Sequence, residues 1–508
     1  MKKISIILAM SAIVVGLLPS CKKNSSTGTE TTHLSTPPYQ VGQTIPAGNV
    51  APGNYQGTMT SGNTYMLNGA FIIPKHDTVL IQSGVNVCMQ PGSIIIVQGV
   101  LISLGTQANP NYIQGCSGST SVKPLDQIGN NPATDPAWNG GNGDWYGIAC
   151  DTSCTLLDIQ WTHINYVGGT TAVTYPFNNG ASGYTGWPIY FQNPNGDCIL
   201  TDSWIYGCND DAVRFAGGRI YFARNTLEKL GYTGGDGLNA KNGTQGDMSF
   251  NLCIGDATNT TKCSNKGSGG PECNINMYNN TYVNCGYRQA QYIPRGSDID
   301  FEQQGRGTCY NNLIVNCRTG IRIGNGENQI PWPDTNNLFY SNNYVYADST
   351  HEVAQFFDYA AGSGLKGIAY VIPSSGQLNL PKNFYDPTSN PAGDILNLPG
   401  TDSIALAGAN PPLFKNFPIP EHIPAHGNLS MIASVATGNA DGGTPYDFHL
   451  QANSPAIGKG TTSFSAFVNI TNKVTSDPVY SNAHFGFIVS QPSADIGCYP
   501  STGGGNNH

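Results

Sequence analysis

Charge is scarce in this chain. Only 11% of its 508 residues are charged, while 39% are apolar. So little charge with so much to bury argues against disorder. The net charge of −9 offers no overall attraction to a polyanion, and no nucleic-acid partner is expected. Helical periodicity is missing too: strand and turn residues alternate without a helix-spaced apolar stripe. No Cys-x-x-Cys pair occurs and no histidine stands at ligand spacing to one, so a zinc site is not expected. Beyond the N-terminal segment, no run is long and apolar enough to span a bilayer.

What the chain does have is a recurring phrase. Asn311-Asn312-Leu313-Ile314-Val315-Asn316-Cys317 and Asn279-Asn280-Thr281-Tyr282-Val283-Asn284-Cys285 are near copies. Looser ones are Asp202-Ser203-Trp204-Ile205-Tyr206-Gly207-Cys208, Arg224-Asn225-Thr226-Leu227-Glu228-Lys229-Leu230, Asn342-Asn343-Tyr344-Val345 and Thr162-His163-Ile164-Asn165-Tyr166-Val167. Their apolar centres (Ile164, Ile205, Leu227, Tyr282, Ile314, Val345) follow one another at roughly 22 to 41 residues, with Asn251-Leu252-Cys253-Ile254 falling in the gap after Leu227. Such a period marks a solenoid, whose repeats bury their faces only against each other. Strand and turn residues without helices make it an all-β parallel β-helix.

Abundant glycine (63 residues) and asparagine suit a tight turn at every coil corner. The column Thr162, Ser203, Asn225, Asn280, Asn312, Asn343 predicts an inward polar ladder with hydrogen bonds along the axis. Leu252 interrupts that column, and 256–272 is expected to form an irregular coil. A second column, Cys208, Leu230, Cys285 and Cys317, reads as a stack of small apolar thiols.

The N-terminus carries Lys2-Lys3 ahead of an apolar stretch from Ile4 to Leu18, the pattern of a signal peptide. Its end, Leu18-Pro19-Ser20-Cys21, resembles the lipobox of bacterial lipoproteins. That resemblance implies lipidation at Cys21, a membrane contact through the lipid, and a place in the cell envelope on the outer membrane, at its surface or periplasmic face. With Cys21 removed from the 14 cysteines, 13 remain in an oxidising compartment. Cys150 with Cys154, and members of the set Cys253, Cys263 and Cys273, are candidate disulfide partners.

Strand-like runs punctuated by Pro-Gly or Gly turns open the fold: Thr78-Val79-Leu80-Ile81, Val85-Asn86-Val87, Ser93-Ile94-Ile95-Ile96-Val97 and Val100-Leu101. Together with Trp145-Tyr146-Gly147-Ile148 they look like the first coils of right-handed parallel β-helix proteins of the pectin-lyase-like superfamily. The runs Asn410-Pro411-Pro412-Leu413-Phe414, Asp447-Phe448-His449-Leu450, Ser454-Pro455-Ala456-Ile457-Gly458 and Ala494-Asp495-Ile496-Gly497 are similar to the closing coils of such proteins. The expected organisation is a signal peptide and lipobox at 1–21, a flexible tether at 22–60, the right-handed β-helix at 61–360, loop-rich C-terminal coils and cap at 361–500, and a frayed tail at 501–508. The molecule is expected to be a monomer.

Chemistry is expected on the strand after each phrase. With period-two alternation, Val213, Leu238, Ile299 and Ile321 face inward with Phe215, Ala240, Phe301 and Ile323. The row Arg214, Asn239, Asp300, Arg322 and the next row, Lys241 with Glu302, then face outward. Asp210, Asp211, Asp236 and Asp298 stand at or before the strand starts. The resemblance makes this sheet face a polysaccharide groove. A uronate lyase would hold Ca²⁺ on Asp210, Asp211, Asp236 and Asp298 and use Lys241 as base, with Arg322, Asp300 and Glu302 in the catalytic set. A glycoside hydrolase would need two flanking carboxyls. Asp210-Asp211 resembles the paired aspartates of polygalacturonases, but that family's Gly-His-Gly and Arg-Ile-Lys motifs are absent. A non-catalytic adhesion module, with the charges as surface salt bridges, is the third reading. Trp187, Trp204 and Trp332 are candidates for stacking on sugar or for packing, and His163 and His449 read as structural.

Overall fold

In the computed structural model, placement is described for 43–116, 145–173, 186–228, 230–231, 235–265, 271–286, 296–317, 320–324, 338–346, 369–371, 395–396, 411–417, 447–464 and 489–508. Successive strands pass through three parallel sheets in turn and then return to the first, so along the solenoid a strand pairs with the third one after it. At its end Tyr344–Tyr346 pairs with Ile395–Leu396, the second strand after it, and Phe414–Asn416 and Asp447–Leu450 form a separate antiparallel pair. The sheets hold 12, 11 and 10 strands and begin at Gly48–Val50, Gly53–Asn54 and Gly57–Met59. This is a parallel β-helix; parallel crossovers of this kind take the right hand almost without exception. Its strands begin at Gly48, inside the stretch expected to be tether. Cys21 and the signal segment lie outside the described residues, as does Trp332.

The repeated phrase supplies the first sheet; a left-handed residue precedes each copy, and a second follows most of them. Trp161, Asp202, Arg224, Phe250, Asn279, Asn311 and Asn342 turn the chain into that sheet with φ between 48° and 59°. Gly207, Gly255, Asn284 and Asn316 turn it out again, with φ between 49° and 66°. Asn and Gly tolerate this conformation, which explains why they recur where they do.

The ladder runs without the interruption expected at Leu252. Register pairs Leu227 with Cys253 and Cys253 with Tyr282, which puts Asn251 in the column and Leu252 beside it. The Asn251 Oδ1 accepts the Asn225 amide N–H at 3.0 Å and the Asn225 Nδ2 at 3.0 Å. The same pair of bonds joins Asn251 to Asn280, Asn280 to Asn312 and Asn312 to Asn343. Each Nδ2 also donates back to a third-sheet carbonyl, as from Asn280 to Met248 at 3.0 Å. The segment expected to be irregular carries a regular strand, Thr261–Ser264.

Two further expectations change. Cys150, Cys154, Cys253, Cys263 and Cys273 are buried free thiols, and the described disulfide joins Cys88 to Cys116. The C-terminal segments lie along the outer face of the first sheet rather than over its end: Phe414, Phe448, Ala456, Ile496 and Cys498 pack on Leu252, Val283, Leu313 and Val315. The tail expected to fray is docked there as well. Asn506 Nδ2 donates to the Asn225 carbonyl at 3.1 Å, and the His508 ring stacks on Trp204 at 3.8 Å. His508 thereby extends the aromatic column Tyr112, His163, Trp204, which explains the structural character of His163.

Candidate functional site

The second sheet receives Val213–Phe215, Leu238–Ala240, Thr261–Ser264, Ile299–Glu302 and Ile321–Gly324 in register. Val213, Leu238, Ile299, Ile321, Phe215, Ala240 and Phe301 face the core as expected. The opposite face aligns Tyr190, Arg214, Asn239, Lys262, Asp300 and Arg322. Lys262 is the member that inspection of the sequence missed, because it lies in the segment read as irregular. A signal was there: Thr261 follows the phrase centre Cys253 at the same distance as Val213 follows Ile205.

Lys262 organises one end of this face. Its Nζ lies 2.6 Å from Glu302 Oε1, 3.5 Å from Asp236 Oδ2 and 3.7 Å from Asp300 Oδ2. Arg322 grips the same acids, with Nε to Asp300 Oδ1 at 2.9 Å and Nη2 to Glu302 Oε2 at 3.0 Å. Asp300 is wholly buried, Arg322 is 1% exposed, and Glu302 and Lys262 are 5% and 6% exposed. The stripe expected to be open is therefore a shielded ionic network. Burial pushes the Asp300 carboxyl up to about 6, with Glu302 adding to the rise and Arg322 opposing it. Burial acts upward on Glu302 too, but the charges of Lys262 and Arg322 outweigh it and hold that group at about 2. The three acids raise Lys262 against the opposite pull of its own burial. Removing one partner from such a network strands the rest without compensation.

The expected calcium set does not assemble. Asp211 and Asp236 are joined through Asn239, whose Nδ2 donates to Asp211 Oδ2 at 2.9 Å and to Asp236 Oδ2 at 2.7 Å. The Asp236 amide donates to Asp211 Oδ1 at 2.7 Å, and Asn259 Nδ2 to Asp236 Oδ1 at 2.8 Å. Asp210 accepts from Trp187 Nε1 at 3.2 Å, and Asp298 lies against Cys285 and Cys317 of the core. Ca²⁺ wants six or more oxygens. Here the oxygens that converge are already engaged by protein donors, so these four acids do not fit that ion.

Lys241 differs from its neighbours. It is 8% exposed and beside Asp211 and Asp236, yet its amine has no hydrogen bond or ion pair among the described residues. Burial lowers it to about 8, the Lys262 charge pulls the same way, and Asp211 and Asp236 resist. At the other end of the row the surface opens. Half-buried Trp187 lies beneath the Arg214 guanidinium at 5.2 Å and beside Tyr190 at 5.0 Å, and Arg214 Nη1 donates to Asp211 Oδ2 at 3.1 Å. Of the other expected stacking residues, Trp204 is committed to the His163–His508 column. His449, read as structural, bonds Asp447 at 2.6 Å beside Tyr499.

Comparison with protein-family models, with curated proteins and with solved structures finds no match to this chain, so the reading of the site rests on its own geometry.

Proposed function

We propose that the outer face of the second sheet, from Trp187 to Lys241, recognises an acidic polysaccharide, and that the protein is an envelope lipoprotein of the pectin-lyase-like superfamily anchored through Cys21. One observation carries the reading: two partly exposed aromatic rings, Trp187 and Tyr190, meet a guanidinium and a carboxylate on one sheet face. Flat rings stack on the apolar faces of sugars, and a planar guanidinium suits a uronate carboxylate. Affinity electrophoresis against uronic-acid polymers tests it: retardation is expected for the native protein and is lost in Trp187→Ala and Arg214→Gln. Lack of retardation on every polymer removes the proposal. Palmitate labelling, lost in Cys21→Ala, tests the anchor.

Lys241 favours eliminative cleavage over simple adhesion. An unpaired amine lowered to about 8 is matched to taking a proton near neutral pH. In this reading the Lys241 amine takes the proton beside the uronate carboxylate. The freed electron pair forms the ring double bond, and the glycosidic C–O bond breaks, its oxygen taking a proton from water while the Lys241 ammonium returns its own to solvent. Arg214 offsets the substrate's negative charge, and no step requires Ca²⁺. Absorbance of the unsaturated product, followed with Ca²⁺ or with chelator, is expected in both and absent in Lys241→Met. Binding without product on any polymer identifies an adhesion module instead.

A further inference from the structure

Inside the solenoid, the column after the left-handed residues of the first sheet runs Cys208, Leu230, Asp256, Cys285, Cys317, and it holds a group of atoms unlike the rest of the core. Cys285 and Cys317 occupy successive coils, the Cys285 amide pointing at the Cys317 sulfur at 3.4 Å. Asp298, from the turn into the second sheet, brings its carboxylate to them. One ligand atom from each of the three lies within 4.8 Å of the others, and all three residues are 0% exposed. Neither oxygen of Asp298 accepts a hydrogen bond of full geometry, although the Cys317 thiol and the Gly320 amide stand beside it. A buried carboxylate in that position is costly unless a proton or a cation neutralises it.

We infer that Cys285, Asp298 and Cys317 form a closed binding site for a thiolate-preferring divalent cation such as Zn²⁺. Two thiolates and a carboxylate are a zinc-type donor set, and full burial is the mark of a structural rather than a catalytic metal. Local spacing hides the site from sequence inspection, because stacking and not a Cys-x-x-Cys turn brings the sulfurs together. A fourth ligand atom is available from the second Asp298 oxygen. Binding displaces the two thiol protons, together with any proton on Asp298, and ties three chain segments across two coils.

The test uses the purified full chain, reduced with a non-chelating phosphine and dialysed first against Zn²⁺ and then against metal-free buffer. Elemental analysis is expected to find about one equivalent retained, as for other closed structural sites. The metal should fall to background in Cys317→Ala and Asp298→Asn and stay unchanged in the control Cys150→Ala. Zn²⁺ should raise the melting temperature of the native protein but not of the two site variants, whose folding is checked by circular dichroism. Co²⁺ loaded into the native protein should show a thiolate charge-transfer band, a readout that survives even if the variants fail to fold. Absence of that band, metal retained in the variants, or a Cys285–Cys317 disulfide found by mass spectrometry overturns the inference.

Discussion

The Asn ladder and the outer row of the second sheet are made by the same coils, yet they differ in how those coils are used. Along the ladder, Asn225, Asn251, Asn280, Asn312 and Asn343 repeat one pair of bonds at 2.9–3.0 Å. Along the outer row, each coil contributes something else: a guanidinium at Arg214, an amide at Asn239, ammonium groups at Lys241 and Lys262, a carboxylate at Asp300. Repetition is sufficient for stacking. Variation from coil to coil gives the outer row a local chemistry that stacking does not require.

Substitutions sharpen the contrast. Lys262→Met should have the largest effect on stability, a loss of about 3–5 kcal/mol, because it strands Glu302, Asp300 and Asp236 in a buried place. Chemical denaturation would show it, and a loss below about 1 kcal/mol would mean that the network is solvated. Asn280→Ala should cost about 3 kcal/mol, since the Asn251 amide and the Met248 carbonyl lose their partner. The same substitution at any inner rung should cost nearly as much, and strongly unequal rungs would break the comparison.

Asp158 gives a pH signature. Burial pushes it from 3.8 up to about 7, with Gln160 as a weak counterweight. The folded state therefore keeps that proton longer than the unfolded chain does. Its contribution is present below 3.8 and is lost as pH climbs through about 7. Asp158→Asn should stabilise the protein by about 2 kcal/mol at pH 8 and flatten the fall measured by thermal melts between those limits. The smallest change in stability, within about 1 kcal/mol, is expected for Lys241→Met, which removes a cation that has no ion pair to break. The same substitution should abolish elimination, whose rate in the native protein should rise with pH through about 8.

The fold was legible because stacking imposes a period, and a period survives in a single chain. The ladder was legible except at Leu252, where aligning on the wrong apolar residue shifted the column by one place. Arg322, Asp300 and Glu302 were placed on the right face, but their burial was not foreseeable, since cover depends on contacts distant in sequence. Lys262 was hidden by glycine- and serine-rich neighbours that read as loop. His508 was read as part of a frayed tail because its partner, Trp204, stands 304 positions earlier (508 − 204) and leaves no local trace.

The ladder also gives the solenoid a direction. Every rung turns its oxygen toward the preceding coil and one amide hydrogen toward the next. Stripping coils from the N-terminal side bares an amide oxygen and one amide hydrogen. Stripping them from the other side bares a main-chain N–H, an amide hydrogen and a carbonyl together. Orphaned main-chain donors are the least tolerated of these groups. The rod should therefore erode unevenly, giving way more readily when the coils from Asn343 onward are removed than when those before Asn225 are.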